Sequence, residues 1–172
     1  SSWRTASCAW ANASISSGNL DADPEFEEIH VFGSRSFTIR DANGAIVWDS
    51  GDQLEQITST QLAANFNSTN SANGSFDTRS DDKGPEPEAI VVANVYGSTY
   101  AFIGLERIGG IMVYDVTVPS APVFIQYINN RNFAGIAAAG TALDLGIEDI
   151  KFVSAADSPD GQPFLITGNE IS

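Results

Sequence analysis

The chain is poor in the residues that build disulfides and soft-metal sites. Its 172 residues include one cysteine, Cys8, and one histidine, His30. Cys8 has no partner for a disulfide within the chain, so it is either a free thiol or pairs with another chain. A zinc site rich in histidine or cysteine is excluded within this chain. A serine nucleophile would have to use His30 as its base, and no Gly-x-Ser-x-Gly turn accompanies it. No catalytic residue is assigned.

Basic residues are also scarce. The chain has 8 lysines and arginines against 22 aspartates and glutamates, a formal net charge of −14. Such a surface repels phosphate backbones, so nucleic acid is excluded as a partner. A strongly acidic surface suits a secreted protein or one that collects cations. No apolar run approaches the roughly 20 residues that a membrane-spanning helix needs, and no transmembrane segment is expected.

What the chain does have is a series of short apolar runs separated by glycine. Residues 89–95, 100–105 and 111–116 are rich in valine, isoleucine, tyrosine and phenylalanine, with turns at 96–98 and 109–110. Runs of this length and composition are typical of successive β-strands. The segment therefore predicts a strand meander.

The meander contains a pattern that returns later in the chain. Gly-x-x-aromatic-x-x-x-Gly-x-Glu covers residues 97–106 and recurs at 161–170. Upstream, residues 88–90 (Glu-Ala-Ile) correspond to 148–150 (Glu-Asp-Ile), and a weaker copy covers 28–48. A recurring unit of about four strands is typical of β-propeller blades and other repetitive β arrays.

We therefore predict an all-β fold of antiparallel, four-stranded, propeller-like blades. Residues 21–172 form this repeat region and hold two to three blades, and residues 1–20 form an N-terminal arm or loop. One short helix is inserted at 54–66, where apolar residues share one side. Because propellers typically have about four to eight blades, the region is expected to be completed by blades of a larger chain or by other copies.

The first candidate metal site is an acidic segment near the start of the repeat region. Asp21, Asp23 and Glu25 place carboxylates at alternating positions, as in the first part of a calcium loop. Phe26 stands where a helix–loop–helix calcium site has glycine. The segment is either a degraded calcium loop or a solvated acidic turn.

A second set of acids lies in and around the repeated pattern. Its candidate metal ligands are Asp81, Asp82, Glu86, Glu88, Glu148 and Glu170. If these carboxylates converge at one end of a propeller, their hard oxygen atoms suit calcium or magnesium. Arg79, Lys83 and Arg107 are the phosphate-binding candidates beside them. Glu106 and Arg107 are predicted to form a structural ion pair.

Three Asn-x-Ser/Thr triplets are candidate glycosylation sites. They begin at Asn12, Asn67 and Asn73. Such triplets are modified only when the chain passes through a glycosylating secretory route.

Several longer stretches resemble one family. They are RSDDKGPEPE at 79–88, YAFIGLER at 100–107, GIMVYD at 110–115, PVFIQYINNR at 122–131 and AADSPDG at 155–161. Together they resemble the choice-of-anchor I family, secreted bacterial proteins similar to mesenchyme-specific cell-surface glycoproteins, some of which are labelled alkaline phosphatases. The resemblance implies a propeller-like fold and an extracellular or cell-surface location.

Two functions follow as hypotheses. The first is a secreted or surface-displayed, Ca²⁺-binding β-propeller module that acts in a surface, matrix or coat assembly. The alternative is a calcium-dependent phosphoric-ester hydrolase, similar to an alkaline phosphatase or phytase, whose site needs blades absent from this chain.

Overall fold

The computed structural model describes residues 35–171 and confirms the all-β class with antiparallel sheets. Eight strands follow one another along this part of the chain: β1 (Thr38–Arg40), β2 (Ile46–Asp49), β3 (Pro87–Val95), β4 (Ser98–Leu105), β5 (Ile111–Asp115), β6 (Val123–Ile128), β7 (Leu145–Val153) and β8 (Phe164–Ile171). The predicted N-terminal arm and the first strand of the earliest copy lie outside the described residues.

The predicted inserted helix is present but shorter than expected. It forms α1 (Gln53–Gln61), and a 3-10 turn (Ala63–Asn65) follows. Leu62 separates the two because its backbone, with φ of −128°, leaves the helical region. A second 3-10 turn covers Ala137–Ala139. Within residues 35–171 no helix is both long and apolar enough to cross a membrane.

The strands form three antiparallel sheets. β3-β4-β5-β6 is a four-stranded meander, as predicted for one repeat, and β1-β2 and β7-β8 are two-stranded. A two-stranded hairpin is marginal alone, so the outer hairpins depend on packing against the central sheet. The described strands form no closed barrel or propeller.

The central sheet is covered on both faces. On one face Ile103, Met112 and Tyr114 pack with Phe37 and Leu54, which come from the β1 and α1 side. The second face carries a smaller apolar cluster that joins it to the β7–β8 hairpin: Ala89, Val91 and Ile111 against Ile147, Ile150 and Leu165. Phe102 also stacks on Phe152, with ring centroids 6.4 Å apart. The repeats are thus stacked face to face.

The β3–β4 and β7–β8 hairpins share one register. Ala89 pairs with Gly104 as Asp149 pairs with Gly168, and the next pair in each hairpin keeps the same offset. Both ladders are interrupted by one extra residue at the same place, Glu88 in β3 and Glu148 in β7. The repeat seen in the sequence is therefore a structural repeat of this hairpin.

Candidate functional site

Two β-bulges hold the repeated glutamates at the same end of the two hairpins. Glu88 is the extra residue between Pro87 and Ala89, and Glu148 occupies the matching place in β7. A bulge disrupts the ladder locally and redirects the side chain of the extra residue. Both glutamates are exposed, so the bulges place carboxylates at a solvent-accessible edge.

The second glutamate of each repeat lies beside the bulge of its hairpin. Glu106 follows the last residue of β4, and Glu170 occupies the matching position near the end of β8. The carboxylates meet in two groups, Glu86–Glu88–Glu106 and Glu106–Glu148–Glu170, and within each group the oxygens lie within 4.8 Å of one another. Glu106 belongs to both groups and links the two hairpins. We call these five residues the carboxylate cluster.

Three basic side chains converge on Glu86 at one side of the cluster. Its Oε1 accepts from Arg79 Nη2 at 2.6 Å and from Arg107 Nε at 2.9 Å, and Lys83 Nζ lies 2.8 Å from its Oε2. Arg107 also forms the predicted ion pair with Glu106, with Nη1 2.7 Å from Oε1. Glu86 and Glu106 are both buried. Glu86 therefore has more basic partners than any other acid of the cluster.

The pKa values of Glu86 and Glu106 are consequently shifted in opposite directions. Burial alone would raise the pKa of Glu86, but hydrogen bonds from Arg107, Lys83 and Arg79 outweigh it and lower that pKa to about 2. Burial and the neighbouring carboxyls of Glu88 and Glu86 raise the pKa of Glu106 to about 8, against the pull of Arg107. A cation bound beside Glu106 would oppose this rise, because a nearby positive charge favours the ionised carboxylate.

Asn70 connects the two hairpins from the polar loop that precedes β3. Its Nδ2 donates to Glu106 Oε1 at 3.2 Å and to Glu170 Oε2 at 3.0 Å, while its Oδ1 accepts from Arg107 Nη1 at 2.9 Å. Asn70 is only 3% exposed. One amide therefore satisfies both acids and the arginine, and fixes their relative positions.

Arg131 holds that loop against the turn after β4. Its guanidinium donates from Nε to Asn73 Oδ1, from Nη1 to the Arg107 carbonyl and from Nη2 to the Ala72 carbonyl, each at 3.0 Å. It is buried, stacks over the Phe133 ring, and forms none of the ion pairs within residues 35–171. Burial lowers its pKa to about 10. Only the NNR sequence after β6, a polar break in an apolar pattern, marks it in the sequence.

The remaining predicted site residues lie apart from the carboxylate cluster. Asp82 pairs with Arg79, with Oδ2 2.7 Å from Nη2, and Asp81 is exposed. Neither belongs to the two groups of metal-ligand geometry within residues 35–171. The acids of the calcium-like segment (Asp21, Asp23 and Glu25), together with Cys8 and His30, lie outside the described residues.

Two of the three glycosylation triplets have structural roles. Asn67 is fully buried, and its Nδ2 donates to Glu55 Oε1 and Ser80 Oγ. The Nδ2 of Asn73 donates to the carbonyls of Asn132 and Gly135. Because a glycan would replace one of these amide hydrogens, modification of either asparagine would break a hydrogen bond of the folded chain. Asn12 lies outside the described residues.

Comparison with known proteins gives the family. The model of the choice-of-anchor I domain matches residues 4–119, about two thirds of the chain. The chain belongs to the choice-of-anchor I family. The resemblance noted in the sequence is thereby confirmed.

Two curated relatives are similar to this family member. Gigasin-3a of Magallana gigas is 29% identical over 160 residues, which span 86% of this chain and 56% of Gigasin-3a. The mesenchyme-specific cell surface glycoprotein of Strongylocentrotus purpuratus is 28% identical over 126 residues, which span 64% of this chain and 16% of that protein. The chain thus covers about half of the first relative and a small part of the second. No solved structure matches the chain.

Proposed function

We propose that the chain is part of an extracellular, surface-associated module built from propeller-like β repeats, and that its carboxylate cluster binds Ca²⁺. Family membership and similarity to a protein named as a cell surface glycoprotein support the location. The four-stranded sheet and the hairpin stacked on its face support the repeat architecture. On this reading the module serves in a surface, matrix or coat assembly.

The observation that carries the calcium proposal is the meeting of Glu106, Glu148 and Glu170 between two hairpins. Glu106 directly follows β4, Glu148 is in β7 and Glu170 is in β8, and their oxygens lie within 4.8 Å of one another. Calcium takes six to eight oxygen ligands in flexible geometry, so three carboxylates and water form a suitable partial shell. A cation bound here would join the two repeats, because its ligands belong to both.

The charge distribution supports a cation rather than a phosphate group at this position. All three phosphate-binding candidates, Arg79, Lys83 and Arg107, contact Glu86. A phosphate ester would have to displace a buried carboxylate from three charged partners, which is costly. Hydrolysis of a phosphoric ester therefore stays the alternative. A chromogenic phosphate ester assayed with and without calcium tests it.

The calcium proposal is tested by thermal unfolding of the chelated protein and of the same protein in calcium. Extracellular calcium modules have dissociation constants of about 0.1–1 mM. At a hundredfold excess over the dissociation constant, binding to the native state adds about 2.7 kcal/mol. For a chain of this size that gain raises Tm by about 5–11 °C. Isothermal titration then gives the stoichiometry.

Glu148→Gln and Asp157→Asn are a matched pair for this experiment. Both remove one exposed carboxylate, but Asp157 lies in the β7–β8 loop, at the opposite end of the hairpin from the bulge. Glu148→Gln should remove most of the calcium response, and Asp157→Asn should keep it. A wild-type Tm that is the same in chelator and in about 10–100 mM calcium, the hundredfold excess, would refute the site, as would equal responses of the two variants.

A further inference from the structure

Gly104 and Gly168 occupy the same position in the two repeated hairpins but have different surroundings. Gly104 pairs with Ala89 in β3–β4, and Gly168 pairs with Asp149 in β7–β8. Neither has a φ in the left-handed region. Backbone conformation therefore does not require glycine at either position, and a steric reason has to be sought.

At Gly104 the reason is the close approach of β7. A Cβ placed there would lie 2.7 Å from Ile147 Cγ2, 3.1 Å from Ile150 Cδ1 and 3.2 Å from the Ala89 Cβ. Contacts below 3.0 Å are not tolerated without movement. Glycine at this position is thus what lets the β7–β8 hairpin seat its isoleucines on the central sheet.

At Gly168 no such neighbour is present. The nearest atom to a Cβ placed there is the Asp149 Cβ, at 3.9 Å, which is an ordinary contact within the same hairpin. Glycine inside a strand is less stable than alanine by about 0.5–1 kcal/mol. Residues 35–171 contain no packing at Gly168 that offsets this cost, whereas the cost at Gly104 is offset by the packing of β7.

The surface around Gly168 is apolar and exposed. Phe164 is 41% exposed and Ile166 is 50% exposed, and both alternate with Gly168 on one face of β8. By the shared register they correspond to Tyr100 and Phe102, and Phe102 stacks on the next hairpin. The outer face of β7–β8 therefore has the same arrangement as the face of β3–β4 on which β7–β8 packs.

We propose that the outer face of β7–β8, formed by Phe164, Ile166 and Gly168, binds a further hairpin of the same repeat. That hairpin places an aliphatic side chain over Gly168, as Ile147 and Ile150 sit over Gly104. The strand of that hairpin equivalent to β7 faces polar groups, because this face has Asp149 and Lys151 where the central sheet has Ala89 and Val91. Its bulge residue comes to lie beside Glu170.

Two observations favour an appended repeat over a second copy of this chain as the occupant. Among the described strands β8 pairs only with β7, whereas its equivalent β4 also pairs with β5 along the other edge, so β8 can pair with a strand of the further repeat in the same way. The chain also carries a net charge of −14, which opposes the association of two copies. The inference rests on the repeat architecture of the proposed function and is independent of calcium binding.

The test extends the chain by one repeat taken from itself. A copy of residues 108–171 is appended after Ile171. Ile171 is equivalent to Arg107 in the repeat, so the copy continues the chain as residue 108 continues it after Arg107. Gly168→Val and Gly104→Val are then made in the original and the extended chain. Thermal unfolding and amide hydrogen exchange of β8 are measured in all of them.

Gly104→Val should lower Tm in both chains by about 2–12 °C, because overpacking a filled interface costs about 1–3 kcal/mol. Gly168→Val should not lower the Tm of the original chain and should raise it by up to about 4 °C, since its site is open and glycine in a strand costs about 0.5–1 kcal/mol. In the extended chain Gly168→Val should lower Tm by about 5 °C. It should also remove the protection against hydrogen exchange that the appended repeat gives to the β8 amides.

Ile166→Ser supplies a second variant with a matched control. Ile125 on β6 is 48% exposed, almost the same as Ile166. Ile166→Ser should destabilise only the extended chain, and Ile125→Ser should affect both chains alike. The proposal is overturned if Gly168→Val harms the original chain as much as Gly104→Val, or if it leaves the extended chain unchanged. A concentration-dependent dimer of the original chain that Ile166→Ser abolishes would assign the face to a second copy and also overturn it.

Discussion

Arg131→Lys is expected to destabilise the protein strongly although it keeps the positive charge. Arg131 is 6% exposed and makes three hydrogen bonds, each 3.0 Å long, to one side-chain oxygen and two backbone carbonyls. A lysine ammonium is a compact point charge and does not reproduce the planar fork that reaches all three acceptors. Arg131 is therefore a positioning residue for the loop that carries Asn70.

The magnitude follows from the bonds that lysine cannot make. Hydrogen bonds to charged groups contribute about 1.5–3 kcal/mol each, and a buried acceptor left without a donor costs about 1–3 kcal/mol. If lysine keeps one of the three bonds, the loss is about 3 kcal/mol or more. For a chain of this size that corresponds to a fall in Tm of about 6–12 °C.

Urea unfolding and thermal melts measure this loss, with Arg40→Lys as the control. Arg40 is exposed and makes one hydrogen bond, from Nη1 to the Gly44 carbonyl, so its substitution should cost less than about 0.5 kcal/mol. Arg131→Lys should also weaken the calcium response, because Asn70 would no longer hold Glu106 and Glu170 together. A cost below about 1 kcal/mol with an unchanged calcium response would refute the positioning role.

Two further predictions concern Glu86 and the glycosylation-triplet asparagines Asn67 and Asn73. The pKa of Glu86 falls from 4.5 to about 2 on folding, so its ionisation stabilises the native state by about 3 kcal/mol above pH 4.5, and this is lost as the pH falls towards 2. The difference in unfolding free energy between wild type and Glu86→Gln should therefore shrink over that range, and a constant difference would contradict this. Protein secreted in folded form from a glycosylating host should carry no glycan at Asn67 or Asn73. Peptide mass spectrometry checks this, and native protein with Asn67 occupied would show that the burial is wrong.

The sequence predicted the strands well because their signals are local. Alternating or continuous apolar runs and glycine turns depend on near neighbours, and β3 and β4 end at the predicted residues, Val95 and Leu105. The helix was predicted too long, since the apolar spacing continues through Leu62 to Phe66 while the backbone does not. Leu62 does join the core, but from outside the helix.

The cluster itself was only partly predictable. The repeat indicated Glu88, Glu106, Glu148 and Glu170 because equivalent positions in stacked hairpins lie near one another. Asn70 was missed because its contacts reach across 36 residues to Glu106 and 100 residues to Glu170. Nothing in a polar loop identifies which of several asparagines makes such contacts. Three bases near the acids suggested phosphate binding, and only the structure shows all three on Glu86.

The distribution of those bases distinguishes Glu86 from the other acids of the carboxylate cluster. If the acids served only to hold the hairpins together, each would be expected to have a base or donor of its own, because an unpaired carboxylate beside others is unfavourable. Instead, three bases meet on Glu86, and none of the ion pairs within residues 35–171 involves Glu88, Glu148 or Glu170. Glu86 thereby fixes the loop that precedes β3. Of the other acids, Glu106 has Arg107 and Glu170 accepts from Asn70, whereas Glu88 and Glu148 form no ion pair within residues 35–171. The proposed Ca²⁺ would lie between Glu106, Glu148 and Glu170, where it would also join the two repeats.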